Sequence, residues 1–213
     1  MSQQTETAYQ YIKERILDGT YKPSQKLIEA QLSQDVGVSR NTIKKALLML
    51  ARENLVELEK NKGATIKSYS MEEVVNYMQI RGVLEGLVAK NATQKITDSD
   101  VQALDQIVQQ MKKFTEENDF DQYTLLNHEF HEIIYKASGN MQAVEMINMI
   151  KNQLKRINFR SLLLPGRNQE SLQEHIRIYE ALKNRNEKEA VEAVEHHVDH
   201  VRQVIVQNYQ FLQ

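Results

Sequence analysis

The sequence predicts a mostly α-helical protein in which a small N-terminal domain with a β-hairpin precedes an all-α antiparallel helical bundle. The 213 residues include only seven glycines and two prolines, so few residues interrupt helices, and helix-favouring residues such as Leu, Glu, Gln and Lys are abundant. Apolar residues recur at three- and four-residue steps through most of the chain, which is the period of a helix with one buried face. One stretch near residue 60 instead alternates apolar and polar residues, as a strand does.

The N-terminal elements are predicted from the residues that interrupt them. Gly19 ends the first helix, Gly37 makes a tight turn, and Ser39 caps the helix that follows. The stretch "LVELEKNKGATIKSY" alternates on both sides of Asn61-Lys62-Gly63, which indicates a β-hairpin. Two helices joined by a tight turn and followed by a hairpin form a winged helix-turn-helix. The predicted helices lie near 5–18, 29–35 and 39–53.

From residue 71 onward the chain is predicted to be entirely helical. Apolar stripes such as Ile147, Ile150 and Leu154 indicate helices that share one core. The predicted domains are therefore 1–68, a winged helix-turn-helix domain, and 71–213, an all-helical domain. Six helices are predicted in the second domain, near 71–94, 98–117, 119–138, 141–163, 168–184 and 187–211.

Composition and charge restrict the class of protein. The formal net charge is −2, but residues 1–70 carry 11 basic and 8 acidic residues, a net of +3, whereas the remainder carries 16 and 21, a net of −5. A basic N-terminal module is compatible with nucleic acid, and chance scatter is the alternative. The chain has no cysteine, which excludes disulfides and thiolate metal ligands. The first ten residues are polar and no apolar run approaches roughly 18 residues, so we expect a cytoplasmic protein without a membrane segment.

The helix predicted over 39–53 has the surface of a DNA-recognition helix. No acidic residue occurs between Val36 and Arg52, and the apolar residues would face the domain core. Arginine can bind guanine and asparagine can bind adenine through two hydrogen bonds, while lysine and threonine contact phosphates or bases. The alternative is a solvated amphipathic helix without a nucleic-acid role. The candidate DNA-binding residues are Arg40, Asn41, Thr42, Lys44 and Lys45, with Lys62 and Gly63 on the wing.

The stretch "DGTYKPSQKLIEAQLSQDVGVSRNTIKKALLMLARENLVELEKNKGATI" resembles the N-terminal domain of GntR-type bacterial transcription regulators, over nearly all of residues 8–68. Four residues depart from the family pattern. Lys44 replaces an arginine and so loses the two-pronged hydrogen bonding of a guanidinium, and Ala30 occupies a position often held by arginine. Gln25 and Asn54 replace glycines, although asparagine tolerates a left-handed backbone.

The remainder resembles the FCD ligand-binding domain of the FadR-like branch of these regulators. The resemblance lies in "IRGVLEGLVAKNA", "NHEFHEIIYKASGN" and "EHIRIYEALKNRNEKEAVEAVEHHV". Six predicted helices resemble the shorter, VanR-type variant. The resemblance implies a homodimer that binds a pseudo-palindromic double-stranded DNA operator and responds to a small organic acid.

The segment "NHEFH" at residues 127–131 resembles a metal-binding pattern of FCD domains, not the HExxH of zinc proteases. The resemblance places His131, His175 and His197 on the metal-ligand positions and Asn127 where the family has an aspartate. Asn127 and His131 are four residues apart, so they share a helix face, whereas His128 points elsewhere. Three imidazoles suit Zn²⁺ or Ni²⁺, but a neutral amide oxygen weakens the site. The alternative is a metal-free polar cavity in which the histidines bond one another or water.

Three arginines are candidates to bind the carboxylate of an effector. They are Arg81 on the first helix of the bundle and Arg156 and Arg160 on the fourth. The alternatives are that Arg81 only pairs with Glu85, four residues on, and that the other two are solvated.

The predicted function is that of a ligand-responsive, sequence-specific transcriptional regulator, a repressor rather than an enzyme, with Lys67–Met71 as the hinge between its domains. A metal-dependent hydrolase is a rival prediction, but Glu129, the nearest candidate base, lies on the wrong helix face. Another rival is a DNA-binding protein whose histidine cavity binds no effector.

Overall fold

The computed structural model describes residues 2–59 and 63–212. The chain divides into two compact units, Met1–Ser70 with Asn152–Ile157, and Met71–Lys151 with Asn158–Leu212. Within the described residues, no helix is long and apolar enough to span a bilayer. Five side chains inside these ranges lie outside the description: Glu59, Lys155, Arg156, Phe159 and Arg160.

The N-terminal unit contains the predicted helices, turn and hairpin strands. Gly37 has a φ of 74° and ends α2 in the left-handed region, which glycine adopts without the steric cost of a Cβ atom. Ser39 caps α3 by accepting a hydrogen bond from the backbone N–H of Thr42. Asn54, in place of the family's glycine, also has a left-handed φ of 58°. The helices are α1 (Gln3–Leu17), α2 (Glu29–Val36) and α3 (Arg40–Arg52).

A three-stranded antiparallel sheet of order β1-β3-β2 completes this unit. The strands are β1 (Lys26–Leu27), β2 (Val56–Glu59) and β3 (Gly63–Ile66). The sequence prediction lacked β1, because two residues are too few for an alternating pattern. Asn61 and Lys62 of the predicted turn lie outside the described residues, so the DNA contact of Lys62 stays a prediction.

Gly63 has a packing role that differs from its predicted DNA contact. The residue is buried at a φ of 103°, and a Cβ atom there would lie 2.1 Å from the backbone oxygen of Leu27. Only glycine permits this approach of β3 to β1. Packing therefore accounts for a glycine at position 63, and its predicted DNA contact stays a prediction.

The core of the N-terminal unit orients the recognition helix. Ile43, Ala46, Leu47 and Leu50 are completely buried, as is Ile12 of α1. These α3 residues recur at three- and four-residue steps and so occupy one face. The opposite face of α3 is left on the surface.

From Met71 to Leu212 the described chain forms seven helices where six were predicted. The helix predicted over 141–163 is two helices separated at Leu154, so the helix count no longer supports the six-helix variant. The sequence at the break, "KNQLKR", contains neither glycine nor proline, so no local signal predicts it. The helices are α4 (Met71–Lys95), α5 (Asp98–Glu116), α6 (Phe120–Ser138), α7 (Met141–Gln153), α8 (Lys155–Leu162), α9 (Arg167–Lys183) and α10 (Glu187–Leu212).

One continuous apolar core connects these helices. Helix α4 packs against α10 and α6, and α5 packs against α6 and α9. Phe130, Ile147, Ile178 and Leu182 are fully buried members of this core. Polar residues are nevertheless buried where α4, α6, α9 and α10 approach one another, and they form the candidate site.

Candidate functional site

The exposed face of α3 presents most of the predicted DNA-binding side chains. Arg40, Asn41, Lys44 and Lys45 are exposed. Thr42 is half-buried, and its Oγ1 lies 2.8 Å from Oγ of Ser39, so its hydroxyl takes part in the helix cap. The described part of this face therefore offers three cationic side chains and one amide to a major groove.

Three predicted metal ligands converge inside the C-terminal unit. His131 on α6, His175 on α9 and His197 on α10 are all buried, and each offers a ring nitrogen such that the three lie within 4.8 Å of one another. His128, in contrast, is exposed. Four-residue helical spacing had placed His128 on a different face from His131, and the structure agrees.

Hydrogen bonds orient two of these imidazoles. Nδ1 of His175 lies 2.6 Å from the backbone oxygen of Ser171, and Nδ1 of His197 lies 2.6 Å from Oε2 of Glu174. Both oxygens can only accept, so each Nδ1 carries the hydrogen and each Nε2 keeps a lone pair. This is how proteins orient metal-binding histidines.

The protonation state of the histidines also suits a metal. Burial lowers the pKa of His131, of His175 (to about 3) and of His197, so all three are neutral near pH 7. Nε2 of His175 lies 3.3 Å from Nε2 of His131. Two ligands of a tetrahedral zinc ion, each roughly 2.0–2.1 Å from the metal, are separated by about this distance.

A fourth polar atom lies at the same cavity without a partner. Asn127 is one helical turn before His131, and its Oδ1 is buried with no hydrogen-bond partner among the described residues. A buried carbonyl oxygen without a partner costs free energy unless water or an ion satisfies it. The donor set of three imidazole nitrogens and one amide oxygen thus fits a borderline divalent cation.

His131, His197 and Asn127 border a cavity of about 100 Å³. One water molecule needs roughly 10–15 Å³. The cavity is several times larger than that, so a small molecule fits. Charged residues from three helices take part in the lining: Arg81 of α4, Lys151 of α7 and Arg167 of α9.

Arg81 pairs with Glu85 and also lies on the cavity lining, and its effector role stays a prediction. Its Nε donates to Oε1 of Glu85 at 3.0 Å, and the hydroxyl of Tyr135 donates to the same oxygen at 2.8 Å. Arg81 and Glu85 therefore form a buried ion pair, and Arg81 also lines the cavity. The side chains of Arg156 and Arg160 lie outside the described residues, so their effector role stays a prediction.

Arg167 is a cavity residue that the sequence prediction missed. It is 2% exposed, and its Nη2 donates to Oε2 of Glu174 at 2.9 Å. Its Nε and Nη1 are buried without a hydrogen-bond partner among the described residues. Nothing in the sequence marks this arginine, because the break "LPGR" suggests a solvated helix start.

Glu174 connects this arginine to the histidines. Its Oε2 bonds both Arg167 and His197, and its Oε1 accepts from Nδ1 of the half-buried His200. Burial by itself would raise the pKa of Glu174, but the hydrogen bond from His197 and the charge and hydrogen bond of Arg167 outweigh it and lower the pKa below its usual value. The carboxylate is therefore ionised at neutral pH.

Lys151 is the second missed residue. Its Nζ lies 5.1 Å from the ring centroid of Tyr135 and 3.4 Å from the hydroxyl of that tyrosine. Burial lowers the pKa of Lys151 to about 8, against the attraction of Glu85. Lys151 is thus still mostly protonated at pH 7, and it faces the cavity as a cation.

Comparisons with known proteins match both units. The profile of "Bacterial regulatory proteins, gntR family" matches residues 4–66, and that of the FCD domain matches residues 76–200. The HTH-type transcriptional regulator YdhC of Bacillus subtilis, itself described as uncharacterized, is 26% identical over 90% of this chain and 86% of its own. The HTH-type transcriptional repressor RspR of Escherichia coli is 25% identical over 93% of this chain and 87% of its own.

The fold is also that of a solved regulator. Escherichia coli McbR/YncC superposes with a TM-score of 0.71 over 100% of this chain and 98% of its own, at 21% identity. The two family matches and the full-length relatives identify the function at the level of the class, which is DNA-binding regulation and not enzymatic catalysis. The chain belongs to the GntR family of bacterial transcription regulators and carries a C-terminal FCD domain.

Proposed function

We propose that the C-terminal unit holds one divalent metal ion, zinc or nickel, on Nε2 of His131, His175 and His197. The observation that carries this proposal is the convergence of three neutral, buried imidazoles, two of which have Nδ1 bonded to an acceptor. Asn127 would supply a weak or water-mediated fourth ligand through its partnerless oxygen. The ion, when bound, supplies a Lewis-acidic anchor for a carboxylate oxygen.

The effector in this proposal is a small organic acid. Arg81 and Arg167 line the cavity, and a guanidinium binds carboxylate through directed hydrogen bonds. Nε and Nη1 of Arg167, which have no hydrogen-bond partner in the described part of the chain, support its role in particular. We retain Arg156 and Arg160 as further candidates on the grounds of sequence.

We also propose that the chain is a repressor whose operator affinity depends on what the cavity holds. The recognition helix α3 would read base edges through Arg40 and Asn41, with Lys44 and Lys45 on phosphates or bases. The protein would have one conformation that binds DNA and one that does not. An effector changes DNA affinity only if it binds these two conformations with different affinities.

The test is DNA binding by the full chain with and without zinc. An operator is first selected from a random duplex library, and fluorescence anisotropy then gives its dissociation constant in zinc and in chelator. We expect zinc to change the constant for wild type and for the exposed control His128→Ala, but not for His197→Ala. A zinc effect that survives in His197→Ala would contradict the assignment of the site.

A metal-free polar pocket is the second candidate, and one contact favours it. If Nε2 of His131 carries a hydrogen, it can donate to Nε2 of His175 across the 3.3 Å between them. That bond would occupy the lone pair of His175 that a metal needs. Calorimetry that detects acid binding but no zinc binding would select this candidate.

We further propose that the regulator is a homodimer and reads a pseudo-palindromic operator. Helix α4 exposes Ile80, Val83 and Leu87 by 53%, 70% and 42%, and their three- and four-residue spacing places them on one face. Contiguous exposed apolar side chains are typical of protein interfaces.

Sedimentation should show that the wild type is a dimer. Val83→Glu should weaken this dimer, and the control Met149→Glu on α7 should not. A monomeric wild type at micromolar concentration would contradict the proposal.

A further inference from the structure

The charges around the cavity do not cancel when a divalent ion is bound. The lining contributes three cations, Arg81, Lys151 and Arg167, and their ion-pair partners contribute two carboxylates, Glu85 and Glu174. The histidines are counted as neutral ligands, since Nδ1 of His175 and of His197 is bonded to an acceptor and Nε2 is left for an ion. A third carboxylate, Glu132, also acts on Lys151. The charges therefore balance without a metal, and a bound divalent ion leaves two positive charges in excess.

Asn127 contributes to this excess by being neutral. Its Oδ1 is buried at the histidines and has no hydrogen-bond partner among the described residues. A carboxylate in the same place would cancel one positive charge of a bound ion, but the amide cancels none. An occupant of the cavity must supply the missing negative charge, since unpaired buried charge is costly.

The donors that could receive this charge come from different helices. Arg167 of α9 offers Nε and Nη1, both buried and without a partner among the described residues. Lys151 of α7 approaches from the side of Tyr135 and Glu85. Arg81, although paired with Glu85, is a further cation on the lining. A single carboxylate at the metal leaves part of this donor set unmatched.

We propose that the cavity selects acids with two carboxylate groups over acids with one, with Arg167 and Lys151 as the cations that distinguish them. The inference rests on the proposed acid-binding function and deepens it by naming the ligand class. One carboxylate binds at the three histidines and their ion, and the second is bound by Arg167, Lys151 or both. The cavity of about 100 Å³ has room for a short ligand of this kind.

The experiment compares two series of probes on the full-length protein. The unbranched α,ω-dicarboxylates from oxalate to adipate are titrated against the monocarboxylates of the same carbon number, with calorimetry as the readout. Each series is run on zinc-loaded and on metal-free protein, and zinc binding is measured separately. We expect at least one dicarboxylate to bind more tightly than its monocarboxylate by roughly tenfold or more, the lower end of what one charge-assisted hydrogen bond contributes.

Two variants change the charge balance in ways that the proposal predicts. Lys151→Gln removes a cation, and Asn127→Asp adds a carboxylate at the histidines, so each should reduce the preference for the dicarboxylate severalfold. Asn127→Asp changes the shape of the side chain very little, which keeps the test valid if the variant Lys151→Gln at its half-buried position fails to fold. Lys112→Gln, at an exposed position on α5, should leave the preference unchanged.

The outcomes separate this inference from the function on which it rests. Equal binding of both series, or a preference for monocarboxylates, overturns the selectivity and leaves acid binding intact. A preference that is the same in wild type, Lys151→Gln and Asn127→Asp overturns the role of the charge excess. If no acid of either series binds, both the selectivity and the acid-binding function are wrong, whatever the zinc measurement shows.

Discussion

Oε2 of Glu174 lies 2.6 Å from Nδ1 of His197, and the same oxygen accepts from Arg167 at 2.9 Å. One carboxylate therefore orients a candidate metal ligand and holds the arginine that lines the cavity. Partners of this kind fix the ring orientation and raise the basicity of a ligating histidine.

Glu174→Gln should weaken zinc binding because an amide of the same size lacks the charge that orients and polarises His197. Loss of such a partner lowers metal affinity by about 10–100-fold. Competition with a chromophoric chelator measures the affinity. Glu180→Gln, at an exposed position on the same helix, is the matched control, and equal affinity in the two variants would show that Glu174 does not support the site.

Asn127→Asp should tighten zinc binding, because an anionic oxygen compensates charge of the ion that the amide leaves uncompensated. His131→Ala should abolish binding, and the exposed His128→Ala should not alter it. Metal analysis after dialysis against zinc gives the zinc content of the wild type and of the three variants. Zinc bound to neither wild type nor Asn127→Asp would mean that the histidines form a metal-free polar pocket.

The metal-free protein should lose stability as the pH falls. Burial lowers the pKa of His131, His175 and His197 below the unfolded value, so unfolding takes up protons. The free energy of unfolding is at its full value above about pH 6.5, the pKa of an unfolded histidine. Below that pH it falls until the lower pKa of the folded histidine is reached. The slope is about 1.4 kcal/mol per pH unit for each histidine that is protonated in the unfolded chain but not in the folded one.

Urea unfolding in chelator between pH 7.5 and 5 tests this dependence. His131→Gln should flatten the dependence, and His128→Gln should leave it as in wild type. An unfolding free energy that stays constant through this range would contradict the buried, neutral state of the histidines.

Arg40→Ala should cost roughly 1–3 kcal/mol on the preferred operator and relax specificity at one base pair. Arg40 is exposed in the first turn of α3, where a guanidinium can bind guanine through two hydrogen bonds. Titrations against single-base operator variants measure the discrimination. Arg177→Ala, exposed on α9, is the control, and unchanged discrimination by Arg40→Ala would assign the contact to another residue.

The sequence predicted those parts of the fold that local patterns encode. Ser39 caps α3, and Gly37 adopts the left-handed backbone, as the residue types indicate. The break at Leu154 and the two-residue strand β1 were missed, since neither has a local signal. These features depend on packing between distant segments, which a pattern along the chain does not contain.

The candidate site also contains residues that the sequence predicted and residues that it missed. Helical spacing and the family resemblance selected His131, His175 and His197, which the fold brings together. Arg167 and Lys151 were missed because the sequence does not distinguish an arginine or lysine that lines a cavity from one on the surface. Their burial arises from the helices that pack over them.

The central claim is a metal site on three histidines of the C-terminal unit. Anomalous diffraction from crystals of the full-length protein grown with zinc tests it most directly. The account predicts one peak in that unit, with Nε2 of His131, His175 and His197 each roughly 2.0–2.1 Å from it. A cavity that contains only water density under saturating zinc, or a peak bound elsewhere while these histidines bond one another, would contradict it.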